Sequence, residues 1–139
     1  MNTQHKAVLF HKQKTSARTL FLKFASGSIC NAGPFPEPAE MLEEPEADSL
    51  VPHPAVLLKS VAEQLSLQPE DLEYEAEFQA QVAYGKETAP VYLLRMTAED
   101  PPRDHMSEQG GRFIAITEAR QLPVVELQLL RRAYEVVLG

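Results

Sequence analysis

Side chains able to do chemistry are sparse in this sequence and widely spaced. His5, His11, His53 and His105 are scattered, without the short intervals that metal ligation uses. Cys30 is the single cysteine and lies in no recognisable nucleophile context, so it reads as an inert thiol. Neither a Walker A loop nor a G-x-G-x-x-G turn occurs, and Gly110-Gly111 reads as a hinge ahead of a strand. Tyr74, Phe78 and Tyr84, spaced at multiples of two, read as core residues rather than a platform for stacking bases.

Charge is placed unevenly. Before Gly27 stand five bases (Lys6, Lys12, Lys14, Arg18, Lys23) and no acid, and from Glu37 to Asp48 stand six acids and no base. The plain reading is a solvated hairpin followed by a solvated loop. The sharper one is a small basic surface that meets a phosphate-bearing ligand. The net charge of −7 argues against a nucleic-acid partner, because neutralising phosphates takes clustered Lys and Arg.

The elements that must position any site follow from periodicity. Leu20, Leu22 and Phe24 alternate with Thr19, Phe21, Lys23 and Ala25, as a half-buried strand requires, and 7–11 is a short apolar run; together they predict two antiparallel strands. The stretch 26–53 is rich in Pro, Gly and Glu and predicts an irregular loop. Pro54 to Leu65 predicts a helix, with Leu57, Leu58, Val61 and Leu65 on one face and Pro54 in the first turn. Leu58 and Val61 are expected in the core. Alternation from Glu73 to Tyr84 predicts one long strand with Glu73, Glu75, Glu77, Gln79 and Gln81 on a wet face, and 91–96 predicts a more central one. A polar loop over 98–111, a strand over 113–116, a short helix starting at Thr117 and a terminal helix over 124–138 complete the order. In the terminal helix Leu127, Leu130, Tyr134 and Val137 form the expected stripe.

The length of 139 residues fits one domain, 1–139. One cysteine permits no internal disulfide, which fits a reducing, cytoplasmic setting. No apolar run approaches the roughly 18 residues of a membrane span, and no signal-peptide core opens the chain.

Lys59-Ser60-Val61-Ala62-Glu63-Gln64-Leu65-Ser66-Leu67-Gln68-Pro69-Glu70-Asp71-Leu72 resembles the helix and exit turn of a Nudix box, G-x5-E-x7-R-E-U-x-E-E-x-G-U, where U is a bulky aliphatic. Laid on without gaps, the box puts Lys59 at the arginine, Ser60 at the first helix glutamate and Val61 at the aliphatic. Glu63 and Gln64 fall on the paired glutamates, Ser66 on the glycine and Leu67 on the last aliphatic. Pro45 and Val51 fall on the first glycine and the loop glutamate. Arg112-Phe113-Ile114-Ala115-Ile116-Thr117-Glu118-Ala119 is similar to the family's late strand and the helix after it. The resemblance implies an α/β/α sandwich around a mixed sheet.

Active members hydrolyse nucleoside diphosphates linked to another group, with the helix glutamates holding divalent cations. Here Glu63 is the only box carboxylate retained. Ser60 and Gln64 are weak Mg²⁺ ligands, and Lys59 lacks the arginine fork. The resemblance therefore implies a degenerate site with no metal and no cofactor. Its role would be to bind a ligand, a nucleotide-like small molecule that Lys59 and Glu63 would touch, or a protein. A first alternative is an active, Mg²⁺-dependent pyrophosphohydrolase whose acids have moved to Glu99, Asp100, Asp104 or Glu108. A second is an unrelated α+β interaction domain. The wide apolar arc of the terminal helix predicts a homodimer, with part of that helix or its preceding turn at the contact, or else full burial within one chain under the Pro-rich loop.

Overall fold

The computed structural model of the chain describes residues 6–13, 18–43 and 53–138; His5, Lys14, Pro45 and Val51 lie outside them. Seven strands form one sheet: β1 (Lys6–Lys12), β2 (Thr19–Lys23), β3 (Ala39–Met41), β4 (Leu72–Tyr74), β5 (Ala80–Tyr84), β6 (Glu87–Met96) and β7 (Arg112–Ile114). The strand order is β3-β5-β6-β1-β2-β7. β1 runs parallel to β6, with Val8 opposite Leu93, and every other pairing is antiparallel. The helices among the described residues are α1 (Pro54–Leu65), α2 (Arg103–Glu108) and α3 (Val124–Leu138), with single 3-10 turns at Pro69–Asp71 and Ile116–Glu118.

The sheet is covered on both faces, which makes the α/β sandwich. Val8, Phe10, Phe21, Val82, Leu93 and Ile114 pack with Val125, Leu129, Leu130 and Ala133 of α3. On the other face Ala7, Leu9, Leu20, Leu22 and Leu94 pack with Leu57, Val61, Ala62 and Leu65 of α1 and with Met106 of α2. Burying each large apolar side chain contributes roughly 1.5–3 kcal/mol. β2 is accordingly buried on both faces, Thr19 and Phe21 included, so the half-buried strand expected from its alternation is instead a covered one.

Both long helices have the bounds their periodicity predicts. In α1 the buried residues are Leu57, Val61, Ala62 and Leu65, and Leu58 lies half-buried at the flank. Its Cα direction is rotated about 100° from Leu57, which is enough to take it off the contact line. In α3 the buried stripe is Val125, Glu126, Leu129, Leu130 and Ala133. It is turned from the expected one, and Leu127, Tyr134 and Val137 sit at its edge.

The long strand over 73–84 is two strands. β4 pairs with Leu94–Met96 and β5 with Glu87–Val91, so they lie in series along one edge of β6. The other edge is occupied by β1. Between them the backbone turns at Glu75–Phe78, where the Phe78 N–H donates to the Glu75 carbonyl at 3.3 Å. The break flips the face. Tyr74 packs on the α1 side, whereas Phe78, Ala80 and Val82 pack on the α3 side. Gln81, expected on a wet face, is buried. Two further elements arise inside expected loops: β3 in 26–53 and α2 in 98–111.

Candidate functional site

The exit of α1 is where the resemblance concentrates. Pro54 occupies the first helical turn, and His53 caps it by accepting the Ala55 N–H on Nδ1 at 3.1 Å. At the far end Ser66 adopts the left-handed conformation, φ 56° and ψ 39°. The Leu67 N–H then reaches back to the Ala62 carbonyl at 2.8 Å. This is the helix-ending geometry that glycine usually supplies. Ser66 is the residue the box alignment places on the glycine, so the turn is kept with a side chain that tolerates it less well.

The box positions themselves diverge. Lys59 and Glu63 are exposed and Ser60 is half-buried. Gln64 is engaged with Asn31. The Asn31 Nδ2 donates to Gln64 Oε1 at 2.7 Å, and Gln64 Nε2 donates to the Asn31 carbonyl at 2.9 Å. Asn31 Oδ1 in turn accepts the Ala7 N–H at 2.7 Å. The end of α1 is thus stitched to the start of β1 through neutral amides. Mg²⁺ takes a near-octahedral set of hard oxygens, normally including carboxylates. Glu63 is the one carboxylate among the three helix positions, and no group of three His, Cys, Asp or Glu among the described residues could hold a metal ion. The donor set does not fit that cation. Glu99, Asp100, Asp104 and Glu108 are all exposed and enter no such group.

α2 closes the other side. His105 Nε2 donates to the Leu65 carbonyl at 2.9 Å, and Gln109 Nε2 donates to the same oxygen. Both satisfy a carbonyl that the helix end leaves without an internal partner. Gly110, at φ +81°, lets the chain pass against the turn after β2, because a Cβ there would come 2.7 Å from Ala25 Cβ. A Cβ at Gly111 would in turn meet Leu22 Cδ1 at 3.2 Å, so both glycines are required by packing. Between these elements lies a cleft of about 350 Å³, lined among others by Phe24, Ser26, Asn31, Gln64, Met106 and Gln109. Lys59 and Glu63 do not line it.

On the opposite face of the sheet Glu126, in the first turn of α3, is 1% exposed. Its Oε1 accepts the Ile29 N–H at 2.9 Å and its Oε2 the Ser28 hydroxyl at 3.1 Å. The Ser28 Oγ also accepts the Cys30 N–H at 3.0 Å. Burial raises the Glu126 pKa above the usual carboxylate value, opposed by the two hydrogen bonds and by Lys23. Burial, reinforced by the nearby Glu126, pushes the Cys30 thiol up to about 12, so it is not a nucleophile near neutrality.

Two bases of the N-terminal stretch are engaged within the fold. Lys6 Nζ lies over the rings of Phe35 and Tyr84, at 5.6 and 5.9 Å from their centroids. Lys12 Nζ donates to the Val137 carbonyl at 3.1 Å. Asn31, Gln109, Ser28 and Glu126 carry the best-defined polar geometry and were not singled out by motif or spacing. Their partners lie far away in the chain, so no local pattern announces them.

No family model matches this chain, and no curated protein is similar enough to match it. No helix among the described residues is long and apolar enough to cross a membrane.

Proposed function

We propose that this chain is a Nudix-like protein that has exchanged its hydrolytic site for a ligand-binding one, at the cleft between the end of α1 and α2. The observation that carries this reading is the Asn31–Gln64 pair. At the position where the resemblance places a metal-holding glutamate, a neutral amide is committed to the backbone of the neighbouring loop. An amide in that role cannot offset cation charge. The test is turnover. Nucleoside diphosphate derivatives with Mg²⁺ or Mn²⁺ should give no phosphate products. Metal-dependent turnover that disappears in Glu63→Gln would overturn the reading in favour of an active pyrophosphohydrolase.

A second reading, contact with a protein, is favoured by a different surface. Val124 is 71% exposed and stands on the rim of a cavity of about 480 Å³ whose walls include Phe35, Pro38, Ala39 and Pro123. An exposed large apolar side chain beside a cavity that is apolar apart from Glu37 and Glu126 suits contact with another chain. The occupant that fits the terminal-helix expectation is a second copy of this one.

A further inference from the structure

The cleft between α1 and α2 carries no charge of its own. None of the residues that line it is Asp, Glu, Lys or Arg. Its polar groups are Ser26, Asn31, Gln64 and Gln109, and its apolar wall is made by Phe24, Leu65 and Met106. A primary amide carries two N–H donors and one carbonyl acceptor. Asn31 and Gln64 each spend one N–H on their mutual contact, which leaves one N–H on each. Gln109 Nε2 lies against the Leu65 carbonyl and 3.2 Å from His105 Nε2, and its Oε1 makes no hydrogen bond among the described residues. The Ser26 Oγ accepts the Ser28 N–H at 3.3 Å and keeps its own proton to donate. The cleft therefore offers several donors, with Gln109 Oε1 as an open acceptor, next to an apolar wall; Asn31 and Gln64 hold each other and Gln109 is held by the Leu65 carbonyl.

Resting on the ligand-binding reading above, we infer that this cleft takes a small uncharged ring of the amide or imide kind, with carbonyl acceptors beside an N–H donor. The carbonyls meet the free N–H groups of Asn31 and Gln64, and the N–H meets Gln109 Oε1. The ring face lies on Phe24 and Met106. A diphosphate is the wrong occupant, because its charges would leave water with no cation to meet them. The volume of about 350 Å³ is at the small end for ligand sites, which run from roughly 300 to 1,000 Å³, and suits a single ring.

The experiment is a titration of the ¹⁵N-labelled full chain followed at the side-chain NH₂ signals, with uracil as the uncharged probe and pyrophosphate as the charged one. Uracil should move the signals of Asn31, Gln64 and Gln109 and saturate, and pyrophosphate should leave them in place. Gln109→Ala should bind uracil about five-fold more weakly or worse, the loss of one hydrogen bond. Gln109 is exposed, and His105 still donates to the Leu65 carbonyl without it, so this variant keeps the fold. If pyrophosphate moves these signals and uracil does not, the cleft binds ligands but the uncharged class is wrong. If neither moves them, the inference fails, while the loss of hydrolysis is still judged by its turnover assay. Uracil binding unchanged in Gln109→Ala also overturns it.

Discussion

Asn31 and Gln64 hold each other twice, side chain to side chain at 2.7 Å and side chain to backbone at 2.9 Å, across 33 positions of sequence. The contact sets the end of α1 against the entry to the sheet, because Asn31 also accepts the Ala7 N–H. It explains why glutamine suits position 64. A carboxylate there would face the Asn31 carbonyl with no proton to give.

Gln64→Glu supplies the residue that the Nudix resemblance would place there and should nonetheless destabilise the fold. The Asn31 carbonyl loses its donor and gains a negative neighbour, at a cost of about 0.5–1.5 kcal/mol because Gln64 is exposed to water. Denaturant midpoints with and without Mg²⁺ measure this. An unchanged midpoint without metal would mean the amide pair contributes nothing. A large Mg²⁺-dependent recovery would mean the cation site survives at this position.

Glu126 makes stability depend on pH in a definite direction. Its native pKa is raised by burial, so the folded state holds the proton more tightly than the unfolded chain. Stability from this group is full below its unfolded value of about 4.3. It is lost as pH rises through the raised native value. Glu126→Gln keeps an acceptor for the Ile29 N–H and cannot ionise. The variant should gain on the wild type as pH goes from about 4 to 7, by about 1.4 kcal/mol per unit of native shift. Chemical denaturation across that range checks the sign. A difference that shrinks with rising pH would show that the hydrogen bonds, not burial, control the carboxyl.

Much of the scaffold was legible and most of the site was not. α1 and α3 announce themselves because each buries one stripe against a flat sheet, and a 3.6-residue period follows directly. The two faces of the sandwich are visible in the apolar runs of β1 and β6. The break between β4 and β5 is invisible because Tyr74 and Val82 keep the parity of a single strand, and only the interposed turn sends them to opposite faces. β3 hides among prolines, and α2 among polar residues of which Met106 alone is buried. The cleft is built by partners such as Asn31 and Gln64, or Leu65 and Gln109, which lie 33 and 44 positions apart. Polar pairing at that range leaves no periodic trace.

The packing of α1 separates two adjacent leucines. Leu57 is 1% exposed, whereas Leu58 is only partly buried. Leu57→Ala should cost roughly 2–5 kcal/mol as a cavity in a closed site. Leu58→Ala should cost clearly less, because solvent and neighbours fill part of the space. Thermal or denaturant unfolding of both variants decides it. An equal loss at the two positions would mean that α1 is rotated by a fraction of a turn from the packing described.

Association is the last expectation, and it turns on Val124. This residue opens α3, is exposed, and adjoins the cavity walled by Phe35, Pro38 and Ala39. The buried stripe of α3 is already used within the chain, through Val125, Leu129, Leu130 and Ala133. A contact with a second copy therefore falls on the start of the helix rather than along its length, with Val124 of each copy seated in the cavity of the other. Such a two-fold arrangement is closed and self-complementary. Sedimentation at micromolar concentration should show a dimer of a 15.5 kDa chain, and Val124→Glu should convert it to monomer. The new charge lies at a surface position, so the fold should lose no more than about 0.5 kcal/mol. A wild type that sediments as monomer at every concentration would defeat the dimer. A dimer that survives Val124→Glu would move the contact elsewhere.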